Sequence, residues 1–183
     1  GERDMDRSRG GRLDVVSNRA RLDDYPLTIR IGSTAGRRAG DYSDGLTFTY
    51  KLRDDAYFHN GRKMTADDVI WSLTRQMDGA KAYPGARYVR IIKGAVEVEK
   101  GQAKEISGLK KIDDLTIEMT LAEKVDPGFN FYQPMLSIYP ADEASKDTFA
   151  TKPIGLGPFK FVEYVPGSRL VAERWEKFYE PGK

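Results

Sequence analysis

Apolar residues recur along this chain at two spacings, every second residue and every third or fourth. Leu27, Ile29 and Ile31 alternate with Thr28 and Arg30, which predicts a half-buried strand. A turn-rich stretch, GSTAGRRAGD, follows it. The clearest alternation puts Leu46, Phe48, Tyr50 and Leu52 on one face, with Thr47, Thr49, Lys51 and Arg53 on the other. Asn60-Gly61, after Tyr57-Phe58, marks a tight turn because both residues tolerate positive φ. The spacing then changes to that of a helix. Val69, Ile70, Leu73 and Met77 share one face of a helix running from about Ala66 to Met77, which Gly79 ends. Thr65 and Asp68 have the spacing of a capping box, and Asp67 and Asp68 place negative charge at the positive end of the helix dipole.

Both spacings occur again in the second half, without an internal repeat. AYPGARYVRIIKGAVEVEKG combines a Pro-Gly turn with a short helix around Val89–Glu99. Ile106–Ile112 and Leu115–Leu121 predict two strands joined at Asp113-Asp114. In the second of these, Leu115, Ile117, Met119 and Leu121 alternate with Thr116, Glu118 and Thr120. FNFYQPMLSIYP is apolar and aromatic but broken by Pro134 and Pro140. GPFKFVEY and SRLVAERW pair about Pro166-Gly167, where proline presets φ and glycine takes the positive-φ position. The order predicts an α/β chain with a mixed, largely antiparallel sheet and a few helices.

Composition narrows the possibilities. The 183 residues carry 39% hydrophobic and 11% aromatic side chains, enough to fill a core. A net charge of +2 gives no footprint for nucleic acid. Charge is uneven, however. Residues 1–40 hold nine Arg, no Lys and six acids, whereas residues 41–183 hold seven Arg, fourteen Lys and 22 acids. Residues 1–24 have little to bury and read as a flexible basic tail or an expression remnant. With no cysteine, disulfides, thiolate metal sites and cysteine nucleophiles are all excluded. No apolar run approaches the length of a membrane helix.

Candidate chemistry is sparse. His59 is the only histidine and no G-x-S-x-G elbow accompanies it, so a structural role in its hairpin fits better than hydrolysis. Asp54-Asp55, Asp67-Asp68 and Asp113-Asp114 are adjacent acids at turns or a helix start. Neighbouring side chains there do not face one another, so general acid–base work is not indicated. One histidine with scattered carboxylates gives no metal set. Gly155-Leu156-Gly157-Pro158 lacks the further glycine of a dinucleotide loop and reads as a tight turn bringing backbone close to a ligand or to another segment. Tyr83, Tyr88 and Tyr132 fall in irregular stretches where recognition aromatics gather, although packing is the simpler role for each.

The stretch DGLTFTYKLRDDAYFHNGRKMTADDVIWSL resembles the family-five extracellular solute-binding proteins, the peptide and nickel receptors of bacterial ABC importers. So do IKGAVEVEKGQAKEISGLKKIDDLTIEMTL and PIGLGPFKFVEYVPGSRLVAERWEKFYEP, and the three ordered blocks span about Asp44 to Pro181. The resemblance implies a partial periplasmic-binding-protein-like (type II) fold. Residues 25–183 would form part of a first lobe plus its accessory domain, without the second lobe. It also implies a protein that closes two lobes around a peptide or small solute and presents it to an importer permease in the membrane. No catalysis, cofactor, metal or nucleic acid is implied, and the location is periplasmic or extracellular, at the cell envelope. Main-chain hydrogen bonds and hydrated side-chain pockets would hold the solute.

Carried onto this sequence, the ligand-facing positions are Ser33 and Thr34 after the first strand, Tyr83 and Tyr88 in the loop after the capped helix, and Gly155, Gly157 and Phe159 at the turn. Two departures from the family pattern suggest a shortened receptor. Only a few residues separate LTIRIGSTAG from DGLTFTY, and the chain stops at Lys183. The change in cation usage near residue 40 fits a join there. A lobe cut from its partner would expose apolar surface, so self-association is expected. The alternative reading is a non-transport sensor or protein-interaction domain on the same scaffold.

Overall fold

A computed structural model describes residues 12–14, 45–125, 127, 131 and 133–179. Strand β1 (Arg12–Asp14) precedes β2 (Thr47–Lys51), and helices α1 (Ala66–Gln76), α2 (Ala86–Val89) and α3 (Ala95–Glu99) follow. Next come β3 (Leu109–Asp113), β4 (Thr116–Thr120), α4 (Ala141–Ala144), β5 (Phe159–Val165) and β6 (Arg169–Arg174). Every strand pairing among the described residues is antiparallel. The strands form two three-stranded sheets, β2-β4-β3 and β1-β6-β5. Alternation in the sequence foretells strands and faces but not this division, which depends on which edges meet.

The β2-β4-β3 sheet carries the core. Phe48 lies opposite Met119 and Tyr50 opposite Ile117, so apolar cross-strand pairs line its inner face. Helix α1 packs there with Ala66, Val69, Leu73 and Met77 all but fully buried. Burying side chains such as Leu73 and Phe58 stabilises the fold by about 1.5–3 kcal/mol each. The start of α1 is fastened to the β3–β4 turn. Ala66 N–H donates to Asp114 O at 2.8 Å, and the Lys111 ammonium reaches Asp67 at 2.6 Å and Asp114 at 2.7 Å. The expected capping box is present, with Thr65 N–H donating to the Asp68 carboxylate at 2.9 Å.

Asp68 does more than cap. It is 2% exposed, takes both terminal nitrogens of Arg62 at 3.0 and 2.6 Å, and accepts from Ala141 N–H at 3.1 Å. One carboxylate thus joins the 57–63 hairpin, α1 and α4. Ser72 and Gln76, both buried, extend the same device along the helix. Tyr139 N–H donates to Ser72 Oγ at 2.9 Å and Gln76 Nε2 donates to Met135 O at 3.1 Å, which satisfies backbone of the proline-broken segment.

Two local expectations are corrected. The helix expected over Val89–Glu99 is two short helices. Gly94 stands between them at φ +83, a left-handed conformation that interrupts helical hydrogen bonding, and its hydrogen side faces Ser107 too closely for any side chain. Helix α1 ends at Gln76 with Met77 as its cap, so Gly79 lies in the turn beyond rather than terminating it. The expected turns at Asn60-Gly61 and Pro166-Gly167 are in place. The LTIRI strand and Tyr132 fall outside the described residues.

Candidate functional site

The expected site residues separate into two clusters, with a third pair outside the described residues. Ser33 and Thr34 are that pair. Gly155, Gly157 and Phe159 belong to the segment leading into β5, and Tyr83 and Tyr88 belong to the segment after α1.

The glycine-rich turn is held by histidine. His59 N–H donates to Gly155 O at 2.9 Å, while Gly155 N–H donates back to His59 Nδ1 at 3.3 Å. His59 Nε2 lies 2.9 Å from Gly157 O. With Nδ1 accepting, the proton sits on Nε2 and is donated to Gly157 O, so both ring nitrogens are used by the neutral form. Burial pushes the imidazole below its ordinary value and the charge of Lys160 adds to that, against the raising effect of the bond to Gly157. The segment approached by the Gly155–Pro158 backbone is therefore the 57–63 hairpin. Trp175 completes the junction. Its ring meets His59 edge-on at 5.7 Å, its indole N–H donates to Tyr57 O at 3.3 Å and its backbone N–H donates to Pro158 O at 2.7 Å. Phe159, one residue on, is 47% exposed, on a β5–β6 surface where Val162, Tyr164 and Leu170 are also exposed.

Tyr83 stands at a different place. The helix-end turn runs from Asp78, whose carboxylate accepts from Ala80 N–H at 3.1 Å, to Ala82 at φ +46. That left-handed alanine is strained by about 1–2 kcal/mol and turns the chain so that Tyr83 covers Arg75. The Arg75 guanidinium carbon lies 4.3 Å from the Tyr83 ring centre, 6.0 Å from Trp71 and 5.9 Å from Tyr139. Together with the end of α3, Trp71, Arg75 and Tyr83 line a wide-mouthed pocket of about 840 Å³. Gly79 makes the wall continuous, because a Cβ there would collide with Glu99 O. Tyr88 lies in α2, packed on the core, with Arg87 above its ring at 4.5 Å and donating to its hydroxyl at 2.6 Å.

Comparison with known proteins gives the frame for these clusters. Residues 41–183 match the model of the bacterial extracellular solute-binding proteins, family 5, middle region. The chain belongs to this family. Among its solute-binding relatives is heme-binding protein A of Haemophilus influenzae, 33% identical over 138 residues, or 66% of this chain and 24% of the relative. The periplasmic oligopeptide-binding protein OppA of Escherichia coli is 32% identical over 155 residues, covering 78% of this chain and 28% of the relative. The solved structure of Listeria monocytogenes OppA bound to peptide superposes with a TM-score of 0.71 at 22% identity, over 81% of this chain and 31% of that one. The fold is therefore that of the periplasmic binding proteins, and the chain spans about a quarter to a third of the length of these solute-binding relatives.

Sequence reasoning missed Arg75, Trp71 and Tyr139 as a group. Trp71 and Arg75 are four residues apart and so share a helix face, a detectable signal. Tyr139 lies 64 residues beyond Arg75, and only the fold brings it there.

Proposed function

We propose that this chain is part of the substrate-binding component of a bacterial ABC importer, working outside the cytoplasmic membrane and binding short peptides or similar small solutes without chemistry. The family match across residues 41–183 carries this reading. A relative named for oligopeptides at 32% identity supports the ligand class. The relative named for haem shows that the family scaffold is put to other ligands, which is why similar small solutes are included. Solute would be handed to the importer permease. Ser33, Thr34, Tyr83, Tyr88, Gly155, Gly157 and Phe159 are the positions proposed to face it, with the turn at Gly155–Gly157 set by His59 rather than by the solute. Self-association, expected from the sequence, draws no support from these relatives.

A thermal melt tests the reading. Pooled short peptides at millimolar concentration should raise the melting temperature. Ligand at a hundred times its Kd stabilises a fold by about 2.7 kcal/mol, enough for a visible shift. A cooperative melt unmoved by peptides, yet moved by another small solute, would replace peptide as the ligand class.

A further inference from the structure

The pocket beside α1 has an electrostatic character that its structural role does not require. The Arg75 guanidinium makes no hydrogen bond or ion pair with any described residue, and three aromatic rings lie about it. Stacking on a guanidinium face leaves the N–H donors at its edge directed outward in their plane, the geometry that receives a carboxylate in two parallel bonds. Lys81, Lys100 and Lys104 line the same pocket, are exposed, and likewise have no ion-pair partner among the described residues. Two acids also line it. Glu99 is committed elsewhere, its carboxylate taking both Arg90 Nε at 2.7 Å and the neighbouring terminal nitrogen. Asp78 accepts from the backbone of its own turn. Some cations elsewhere on the molecule are matched to carboxylates, as at Lys111, Lys146, Lys160 and Arg169. Others, such as Lys63, Lys93 and Lys152, have no ion-pair partner among the described residues and no aromatic rings stacked about them. A strained alanine that sets Tyr83 over Arg75 adds a cost which simple turn-making would avoid.

The geometry points to this pocket as a carboxylate-binding site, with Arg75 as the bidentate donor, Trp71 and Tyr83 as the flanking apolar walls, and Lys81, Lys100 and Lys104 attracting the anion. The bearer of the carboxylate is the C-terminus of a short peptide. That choice of bearer rests on the proposed function, whereas the carboxylate rests on the pocket alone.

The chain has two tryptophans, one in the pocket and one at the His59 junction, so the indole N–H signals of the ¹⁵N-labelled protein carry their own control. Trialanine, its C-terminal amide, N-acetylalanine and inorganic phosphate are the probes. Trialanine should move the Trp71 signal saturably and leave Trp175 in place. The amide should bind at least about tenfold more weakly, the loss expected from one charge-assisted contact. Arg75→Gln should abolish the Trp71 response. Should that variant fail to fold, the exposed pair Lys100→Gln with Lys104→Gln should still weaken binding several-fold.

Equal titration by acid and amide would overturn the proposal. So would a silent Trp71, unchanged affinity in the lysine pair, or phosphate binding more tightly than either carboxylate. If N-acetylalanine moves Trp71 while trialanine moves neither Trp71 nor the melt, the carboxylate site stands and the peptide reading fails. If peptides raise the melt while Trp71 stays silent, the peptide reading stands and this site fails.

Discussion

At the scale of single residues, His59 shows how one side chain can be structural and still leave a measurable trace. Its neutral ring both accepts from Gly155 N–H and donates to Gly157 O. Protonation would turn Nδ1 into a second donor facing a donor, so the folded protein resists the proton, and the imidazole is lowered from its ordinary 6.5. The sign follows. Below pH 6.5 the unfolded chain takes up a proton that the folded chain declines, so stability is intact above that pH and falls as pH drops toward the folded value. Urea midpoints should therefore decline between pH 6.5 and 5, and His59→Gln should flatten that decline while lowering the midpoint at neutral pH. An unchanged slope in the variant would assign the pH dependence to other groups. The sequence identified His59 as structural through its hairpin setting. Its partners, nearly a hundred residues away, were not legible, because nothing local specifies a contact across that distance.

The elements follow the sequence wherever one face is buried and a turn residue fixes each end. Strand β2, helix α1 and the β5–β6 hairpin all lie where alternation, capping and turn chemistry agree. Agreement failed at residues 89–99, where apolar spacing suited a continuous helix but Gly94 does not adopt one. Ile92, Lys93 and Gly108 form a bridge to the sheet there, with Gly108 N–H donating to Lys93 O at 2.8 Å and Lys93 N–H to Thr120 O at 3.0 Å, and a helix would forfeit those bonds. Gly94→Ala tests this at the level of the element. The methyl group would combine a left-handed φ with a contact 2.7 Å from the Ser107 backbone nitrogen, and the strain alone costs about 1–3 kcal/mol. Chemical denaturation should show a loss of at least that size. A loss under half a kilocalorie, about the surface-substitution level, would mean that the α2–α3 break is adaptable. The pocket was only partly legible for a related reason. Tyr83 stood out as an aromatic in a turn, but its partners Arg75 and Trp71 looked like ordinary helix surface, and their purpose depends on a turn conformation that Ala82 does not advertise.

At the scale of the molecule, the described residues form an apolar core over β2-β4-β3 and a second sheet attached to it at His59 and Trp175. Removing the Trp175 ring should loosen the attachment without touching the core. In Trp175→Ala, amide exchange across β5 and β6 should accelerate well before that of α1 and β4, so the two sheets should report different opening energies. Uniform acceleration would show instead that the molecule opens as one unit.

The order in which the halves are made gives this attachment another meaning. Gly155 follows His59 by 96 residues. At a synthesis rate of roughly 5–20 residues per second, the histidine emerges about 5–20 s before its partner exists. For that interval the ring lacks the burial that disfavours its charged form in the folded protein. The loop to be closed is long, and its entropy is recovered only when the Gly155–Pro158 turn arrives. Docking of the second sheet is thus a late event on the growing chain, and His59 changes from an ionisable surface group to a neutral buried one at that moment.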